Sequence, residues 1–528
     1  MEPILFVISF IISAIPGFFL SAPPVEDALG TMGAAAYLAG YDWSLFLASD
    51  GFFYKYGMTF LYLPAFLFVK NPIVRYKILL ACNSALDAFI PVLVYKISNK
   101  HLCLGKDIAF YISIMCGMMP SVLLYTKYTW AEPALFLIPW IIIYLLLELY
   151  AIKKDTLGKR EYLSLALGFV CVSGFMCHQR GIIFLIATLM TLLFIKIATQ
   201  KSLISKLPFY TSLIVTLILD RLCNHLLREY VYLGIKPAHN LIDSFLDPTL
   251  YRQLLSANGL VVLGKSFCGW MMNVCVSGFG ITTIGIITGF ACIYRFLFYK
   301  KNDAGNIIHY NSRNNELFSV VSLWSMLSFC GAFLLGLLFF FQTAIGYWNG
   351  TEVERCDHLV FGRYLESMYP VLMFMGLVYL YINSHKLLSS IKLFSIAVYV
   401  FFTVFFSLKI APAMLGVDSY VHSLMSMNYC FDTGNIINTQ DVITNLPHAL
   451  IVACVISFII FITVLILSHS GNYRLCAIVM LSCFLYIYTA SFINIIYRVN
   501  SYSITKYAIY YLLSQLTLPP SILPSAWF

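Results

Sequence analysis

Apolar runs close to bilayer length recur along the whole chain. Residues 4–20, 75–96, 107–126, 133–151, 162–178, 181–197, 207–226, 274–298, 317–341, 364–383, 390–408, 447–467 and 475–497 each approach the ~20 residues that cross a hydrocarbon core. A backbone in lipid must satisfy its own hydrogen bonds, so such runs are helices. The two-residue alternation of a membrane barrel is absent. The pattern predicts an all-α polytopic membrane protein with about thirteen transmembrane helices. The run 57–70 (GMTFLYLPAFLFVK) is shorter and holds Pro64, which predicts a helix lying in the membrane interface. The first 22 residues have the length of a signal peptide, but no Lys or Arg precedes their apolar part and many spans follow. They read as an uncleaved first span.

Basic residues fall between the runs in a way that sets the topology. With the N-terminus inside, the inner loops carry Lys96, Lys100 and Lys106; Lys153, Lys154, Lys159 and Arg160; Lys196, Lys201 and Lys206; Arg295, Lys300, Lys301 and Arg313; Lys386 and Lys392; and Arg474. Every one of these loops is short and basic, as the positive-inside rule requires. Counting 57–70 as a span would reverse them. The acids then collect on the outer side. The expected organisation is one membrane domain over 1–528, a first outer loop at 21–75 bearing the chemistry, and outer loops at 227–273, 342–363 and 409–446 packed as a cap. No internal repeat or low-complexity tract is visible.

Composition narrows the function. The chain is 60% hydrophobic and 11% charged, with a net charge of +9. The basic residues sit in small groups between apolar runs, with no basic stripe among exposed aromatics, so nucleic acid is not an expected partner. Most of the 15 cysteines, such as Cys82, Cys116, Cys171, Cys330, Cys454 and Cys483, lie inside apolar runs and behave as small hydrophobes. There is no C-x-x-C; Cys356 and Cys430 fall on the expected outer side, where they could pair. The 10 histidines show no H-x-x-x-H spacing, and no G-x-x-x-x-G-K-[ST] argues for an ATP-driven pump.

The candidate chemistry starts at 21–56, SAPPVEDALGTMGAAAYLAGYDWSLFLASDGFFYKY, which holds Glu26, Asp27, Asp42 and Asp50 just beyond the first span. Pro23-Pro24 ends that helix. Glu26-Asp27 is either an acidic helix cap or a general base at the bilayer edge. Lys55 stands among aromatics suited to the interface. Glu132 tops a hairpin after Tyr125-Thr126-Lys127-Tyr128-Thr129-Trp130, and Arg180 sits in His178-Gln179-Arg180-Gly181 with almost no loop around it. An arginine held there either snorkels to headgroups or meets an anion. In the stretch from Glu352 to Glu366, Arg363 is placed to bind a phosphate in bidentate fashion or to join a salt-bridge cluster with Arg355 and the neighbouring acids. His358 and Tyr364 share that stretch. Asp87 lies within an apolar run, and Asp220-Arg221 near the outer end of another reads as a buried ion pair or a functional one.

These pieces carry a resemblance. P-V-E-D-A-L-G-T-M-G-A-A-A-Y-L-A-G-Y-D-W-S, then Y-K-Y-G, a second acid in T-W-A-E-P and a later G-R-Y resemble the GT-C glycosyltransferase superfamily, which includes protein O-mannosyltransferases and lipid A aminoarabinose transferases. The similarity spans the first 200 residues or so and the surroundings of Arg363. It implies that the first-loop acid, here Asp27, is the catalytic base. Where the family often has Glu after the Asp, this chain has Ala28, with Glu26 on the other side. That leaves open whether Glu26 substitutes, and it weakens any divalent metal held by the pair. The resemblance also implies a polyprenyl-phosphate-linked sugar as donor and a glycan, lipid or protein hydroxyl as acceptor. Lys55, Arg180 and Arg363 would stabilise the departing phosphate, and Glu132, His358 and Tyr364 would line the substrate. One base suffices, because phosphate leaves without protonation, and a single displacement inverts the anomeric centre. The expected setting is a bacterial cytoplasmic membrane, with surrounding lipid as a further partner and the site facing outward.

Two other readings remain. A transporter or flippase of lipid-linked glycans would place charge and broken helices at the bilayer midplane. A polymerase or ligase of such glycans would concentrate its chemistry in a large later loop, for which 409–446, with Asp418, His422, Asp432 and Asp441, is the candidate.

Overall fold

A computed structural model describes residues 1–25, 27–152, 158–235, 245, 247–298, 312–351, 356–414, 425–427, 446–501 and 503–517. Among these residues regular structure is helical, apart from isolated bridging at Phe52 and between Tyr41 and Thr517. Ten of the described helices are long and apolar enough to cross a membrane. The chain is therefore a polytopic helical membrane protein.

The difference from about thirteen expected spans has local causes. The first run forms Glu2–Gly17, only 16 residues long. The run 107–126 breaks into Lys106–Gly117 and Pro120–Tyr125, because Pro120 lacks an N–H and bars helical geometry at Met119. The run 364–383 yields a 14-residue helix, Tyr369–Ile382, behind a tight turn at Glu366–Met368. Lys206–Leu226 has 21 residues but carries Asp220 and Arg221. The interfacial run forms Thr59–Phe68, whose 10 residues are too few to span.

The expected outer loop at 227–273 needs correction. Its second half is a 21-residue helix, Ala257–Ser277, capped by the Ser256 side chain, which accepts from Gly259 N–H. Asn258, Lys265 and Asn273 dilute its apolar pattern, which is why it reads as loop. Trp270 Nε1 donates to His358 O at 2.8 Å and Asn273 Nδ2 to Val360 O at 2.9 Å. The helix thus flanks the 356–363 stretch. It ends where Phe279 (φ 48°) and Gly280 (φ 72°) turn left-handed, and Ile281–Phe298 follows. The expected 274–298 span therefore starts in the last turn of one helix and covers the whole of the next. Of the expected 409–446 loop, only 409–414, 425–427 and Leu446 lie within the described residues, and Cys430 lies outside them.

The two ends of the bundle differ in chemistry. At one end, Glu148 is surrounded by Lys100, by His101 Nε2 at 3.0 Å and by Lys159 at 3.3 Å, while Arg160 donates to the carbonyls of Ser202 and Leu203. At the other end the first loop is stitched to the helix termini. Thr129 Oγ1 donates to Ala28 O at 2.7 Å, Gly57 N to Met176 O at 2.9 Å, Tyr54 N to Tyr232 Oη at 2.9 Å, and Trp43 Nε1 to Leu513 O at 2.8 Å.

Close backbone approach holds the frame behind that end. A Cβ on Gly285 would meet Leu372 O at 1.9 Å, and one on Gly376 would meet Ile281 O at 2.2 Å. Small residues let the Ile281–Phe298 and Tyr369–Ile382 helices touch directly, the usual basis of helix association in lipid. Gly285→Val is expected to cost about 1–3 kcal/mol and to lower the unfolding midpoint in detergent. Gly264→Ala, which has nothing within 4 Å of its added carbon, serves as control. Equal midpoints for the two variants would refute the packing argument.

Candidate functional site

The centre of the acid-bearing end is a carboxylate between two guanidinium groups. Glu132 opens the Glu132–Ala151 helix, with Pro133 behind it, and its side chain is 1% exposed. Arg180 reaches it from the turn joining Lys159–Cys177 to Ile182–Thr199. That turn is so tight that a Cβ on Gly181 would lie 2.0 Å from Gly174 O, which requires glycine. Arg180 Nη2 donates to Glu132 Oε1 at 2.9 Å and Nη1 to Arg363 O at 3.2 Å. Arg363 Nε donates to the same Oε1 at 2.6 Å. The rings of Trp130, 3.8 Å from the Arg363 guanidinium carbon, and Tyr364, 5.1 Å from that of Arg180, form the walls. Two arginines and one glutamate leave one net positive charge. Arg363 keeps 16% of its side chain exposed, so it can still meet an incoming anion. Glu132 Oε2 is buried and has no hydrogen-bond partner among the described residues.

A second buried acid lies behind this group. Glu366 Oε2 accepts from Tyr125 Oη at 2.5 Å, and its Oε1 accepts from Ser426 N at 2.8 Å. Sequence reasoning gave neither Glu366 nor Tyr125 a role. The available signal was an acid at the head of an apolar run, three residues after Arg363.

Asp27 is the first residue of a short helix, Asp27–Gly30. It is half-buried, and among the described residues its carboxylate makes no ion pair or hydrogen bond and caps no backbone N–H. Its charge reaches Arg363 and Tyr54. The Tyr54 ring lies where a Cβ on Gly30 would be 2.2 Å away. Burial, then the Asp27 and Asp50 carboxylates, push the Tyr54 phenol well above its ordinary range. Glu26, the alternative base, lies outside the described residues.

The remaining expected residues fall elsewhere. Lys55 is buried against Asp220 at 3.0 Å, with its Nζ 3.4 Å from the Phe175 ring centre, and Tyr56 Oη donates to the same carboxylate at 3.2 Å. Burial lowers the Lys55 pKa, and Asp220 partly restores it. Lys55, expected to face a donor phosphate, is thus held by Asp220, and Asp220 pairs across the fold instead of with Arg221. His358 stacks on Phe340 at 4.6 Å, with Phe340 and Phe361 between it and Tyr364. It belongs to the aromatic packing behind the arginines. Arg363 finds its counter-charge in Glu132, 231 positions earlier; Arg355 lies outside the described residues. Among the described residues, no three His, Cys, Asp or Glu side chains gather as metal ligands.

No protein-family model matches this chain. No curated protein matches it either.

Two predictions follow from the geometry. Glu132→Gln leaves two enclosed guanidinium groups without a counter-charge and is expected to cost about 3–5 kcal/mol of stability. Loss of less than about 1 kcal/mol in detergent unfolding would show that the trio does not brace the fold. His178, whose Nδ1 accepts from Arg180 N at 3.1 Å, is brought down to about 3, first by burial and then by Arg180. Between that value and about 6.5, the unfolded chain binds the extra proton. Stability is therefore full above pH ~6.5 and falls as pH drops through this window. His178→Gln is expected to flatten that part of a stability–pH profile, and an unchanged slope would refute it.

Proposed function

We propose that the protein is a GT-C-type glycosyltransferase. It moves a sugar from a polyprenyl-phosphate donor to an acceptor hydroxyl, with the N-terminus inside and the acid-bearing end facing outward. The observation that carries this reading is Asp27: a half-buried carboxylate without a partner among the described residues, within electrostatic reach of an arginine that is only partly neutralised. A base needs its lone pairs free and a cation nearby to receive the negative charge that leaves.

In the proposed reaction Asp27 takes the proton of the acceptor hydroxyl as its oxygen attacks the anomeric carbon. The bond from that carbon to the phosphate oxygen breaks, and the electron pair departs with the phosphate. Arg363 faces the developing charge. Glu132 fixes Arg363 and Arg180 relative to each other, and its unpaired Oε2 can accept from a sugar hydroxyl. One displacement inverts the anomeric centre.

One observation favours a transporter instead. Asp87, inside the Pro72–Lys96 helix, is buried with neither oxygen hydrogen-bonded among the described residues, and intramembrane acids commonly mark ion pathways. Against it, Glu132, Arg180, Arg363 and Asp27 cluster at one end, not at mid-bundle. The four residues of a polymerase-type loop, Asp418, His422, Asp432 and Asp441, lie outside the described residues.

The test is sugar transfer by purified protein from a panel of polyprenyl-phosphate sugars. Asp27→Asn is expected to lose roughly a thousand-fold in rate while still binding donor. If Glu26→Gln is the inactive variant, the base is its neighbour. Near-wild-type transfer by Asp27→Asn would end the catalytic reading and bring the transporter forward.

A further inference from the structure

Beyond the arginine–glutamate centre, two stretches of chain part around a cavity of about 750 Å³. One wall is the Pro248–Leu254 helix with the start of Ala257–Ser277. The other is the Phe341–Trp348 helix with the turn that follows it. Phe340, just before that helix, has its ring 5.1 Å from the ring of Tyr364. Phe340 to Gly346 is about 9 Å of helix. The cavity therefore opens at the acid-bearing end, a short way past the arginines.

Its lining is neutral and polar in a chain that is 60% hydrophobic. Four carboxamides face it: Gln253, Asn258, Gln342 and Asn349. Asp247 is the one carboxylate among the described lining residues, and no lysine or arginine is among them. The cavity of about 460 Å³ between the 52–56 segment and the Lys206–Leu226 helix is the opposite case, with Lys55, Arg221 and Arg228 in its walls. The two polar walls are tied to each other. Asn258 Nδ2 donates to Asn349 Oδ1 at 2.7 Å, and Gln342 Nε2 donates to Asp247 Oδ2 at 3.4 Å, across 91 and 95 positions of sequence. Asp247 is fixed in turn, accepting from Thr249 N at 2.9 Å and from Thr249 Oγ1 at 2.6 Å. After these bonds the Gln253 carboxamide, Gln342 Oε1, Asn258 Oδ1 and Asn349 Nδ2 have no hydrogen bond among the described residues. Donors and acceptors are thus left open at spacings that the cross-links hold.

We infer that this cavity binds a neutral, hydroxyl-rich glycan. A sugar hydroxyl both donates and accepts, and a carboxamide presents a donor and an acceptor in one plane. A held set of them reads a pattern of hydroxyls and disfavours a ligand without it, because the open polar groups would lose water and gain no partner. An anionic ligand finds one carboxylate to repel it and no cation to neutralise it. A lipid chain finds little apolar wall, since Ile345 is the one large apolar side chain in the lining. The assignment rests on the transferase reading only for what the glycan is for. Under that reading it is the acceptor, gripped away from the bond being made, and such remote binding energy orients the reacting hydroxyl. The acceptor class then narrows from any hydroxyl-bearing molecule to a neutral glycan.

The experiment is isothermal titration calorimetry on the full chain in lipid nanodiscs, free of sugar-headed detergent that would compete. Maltohexaose and mannohexaose are the neutral probes, and a galacturonate oligomer of the same length is the acidic one. Wild type is expected to bind at least one neutral probe and to bind the acidic one more weakly. Gln253→Ala combined with Gln342→Ala is expected to weaken that binding at least about tenfold. Both side chains are exposed, so the unfolding midpoint should stay at the wild-type value. Gln515→Ala removes an exposed carboxamide outside the cavity and should change nothing. Failure of wild type to bind either neutral probe overturns the inference. So does unchanged binding in the double variant, or acidic binding as tight as neutral. Asp27→Asn should bind the glycan like wild type. Glutamine-dependent binding without any sugar transfer would preserve this site and remove the transferase reading. Transfer whose acceptor KM ignores both glutamines would do the reverse.

Discussion

One buried carboxylate organises the acid-bearing end. Glu132 belongs to a helix, Arg180 to a three-residue turn 48 positions later and Arg363 to a loop 231 positions later, and all meet at a single oxygen. A charge so enclosed is tolerable only with its partners in place. The trio therefore enforces the relative position of three segments that apolar packing alone leaves free to slide, because lipid tails solvate a helix face about as well as another helix does. Its aromatic walls cross between segments: Trp130, on the Glu132 hairpin, covers Arg363, and Tyr364, next to Arg363, covers Arg180. The hairpin that supplies Trp130 also supplies Thr129, which holds the Ala28 carbonyl next to Asp27. Constraint thus passes from the ion trio to the proposed base through a short stretch of backbone and one hydrogen bond.

The same arrangement of one acid among several bases appears at the opposite end. There one acid, Glu148, collects Lys100, His101 and Lys159. Those bases include residues that mark inner loops in the sequence, and Glu148 ties two of those loops together. Such a cluster fits an anchoring role: its lysines are largely exposed, where a pair contributes little stability. At the acid-bearing end the pairs are enclosed and few. The contrast argues that the two ends are built for different purposes, one to orient the bundle and one to hold a defined arrangement of charge.

Much of the frame was legible in hydrophobic run length, since that signal depends only on bilayer thickness. Most of the expected spans correspond to helices, within a few residues. The failures are polar dilution and helix breaks. Ala257–Ser277 escaped notice because Asn258, Lys265 and Asn273 interrupt its apolar pattern, and 107–126 looked continuous because run length does not register Pro120. At the site, Glu132, Arg180 and Arg363 were singled out as charges at run boundaries, but their mutual pairing was not visible. Local sequence suggests local partners: Arg355 for Arg363, Arg221 for Asp220. The fold chose distant ones, Glu132 and Lys55. Glu366 went unassigned because an acid at the head of a span looks like any other boundary charge until Tyr125 is seen against it.

The side chains of the 52–56 segment alternate between two sides of this end. Successive side chains of an extended strand point to opposite sides. Phe53 and Lys55 face the cavity on the Lys206–Leu226 helix, while Tyr54 lies on Gly30 toward Asp27. The Tyr54 N–H is held by Tyr232, and Gly57 is pinned to Met176, so the register is fixed at both ends. A slip by one residue would turn Lys55 toward the acid and Tyr54 into the cavity, exchanging the charge character of the two sides. Asp220 prevents this by holding Lys55 from the cavity side. That ion pair therefore fixes the register, keeping the side that faces Asp27 distinct from the cationic cavity on the Lys206–Leu226 helix.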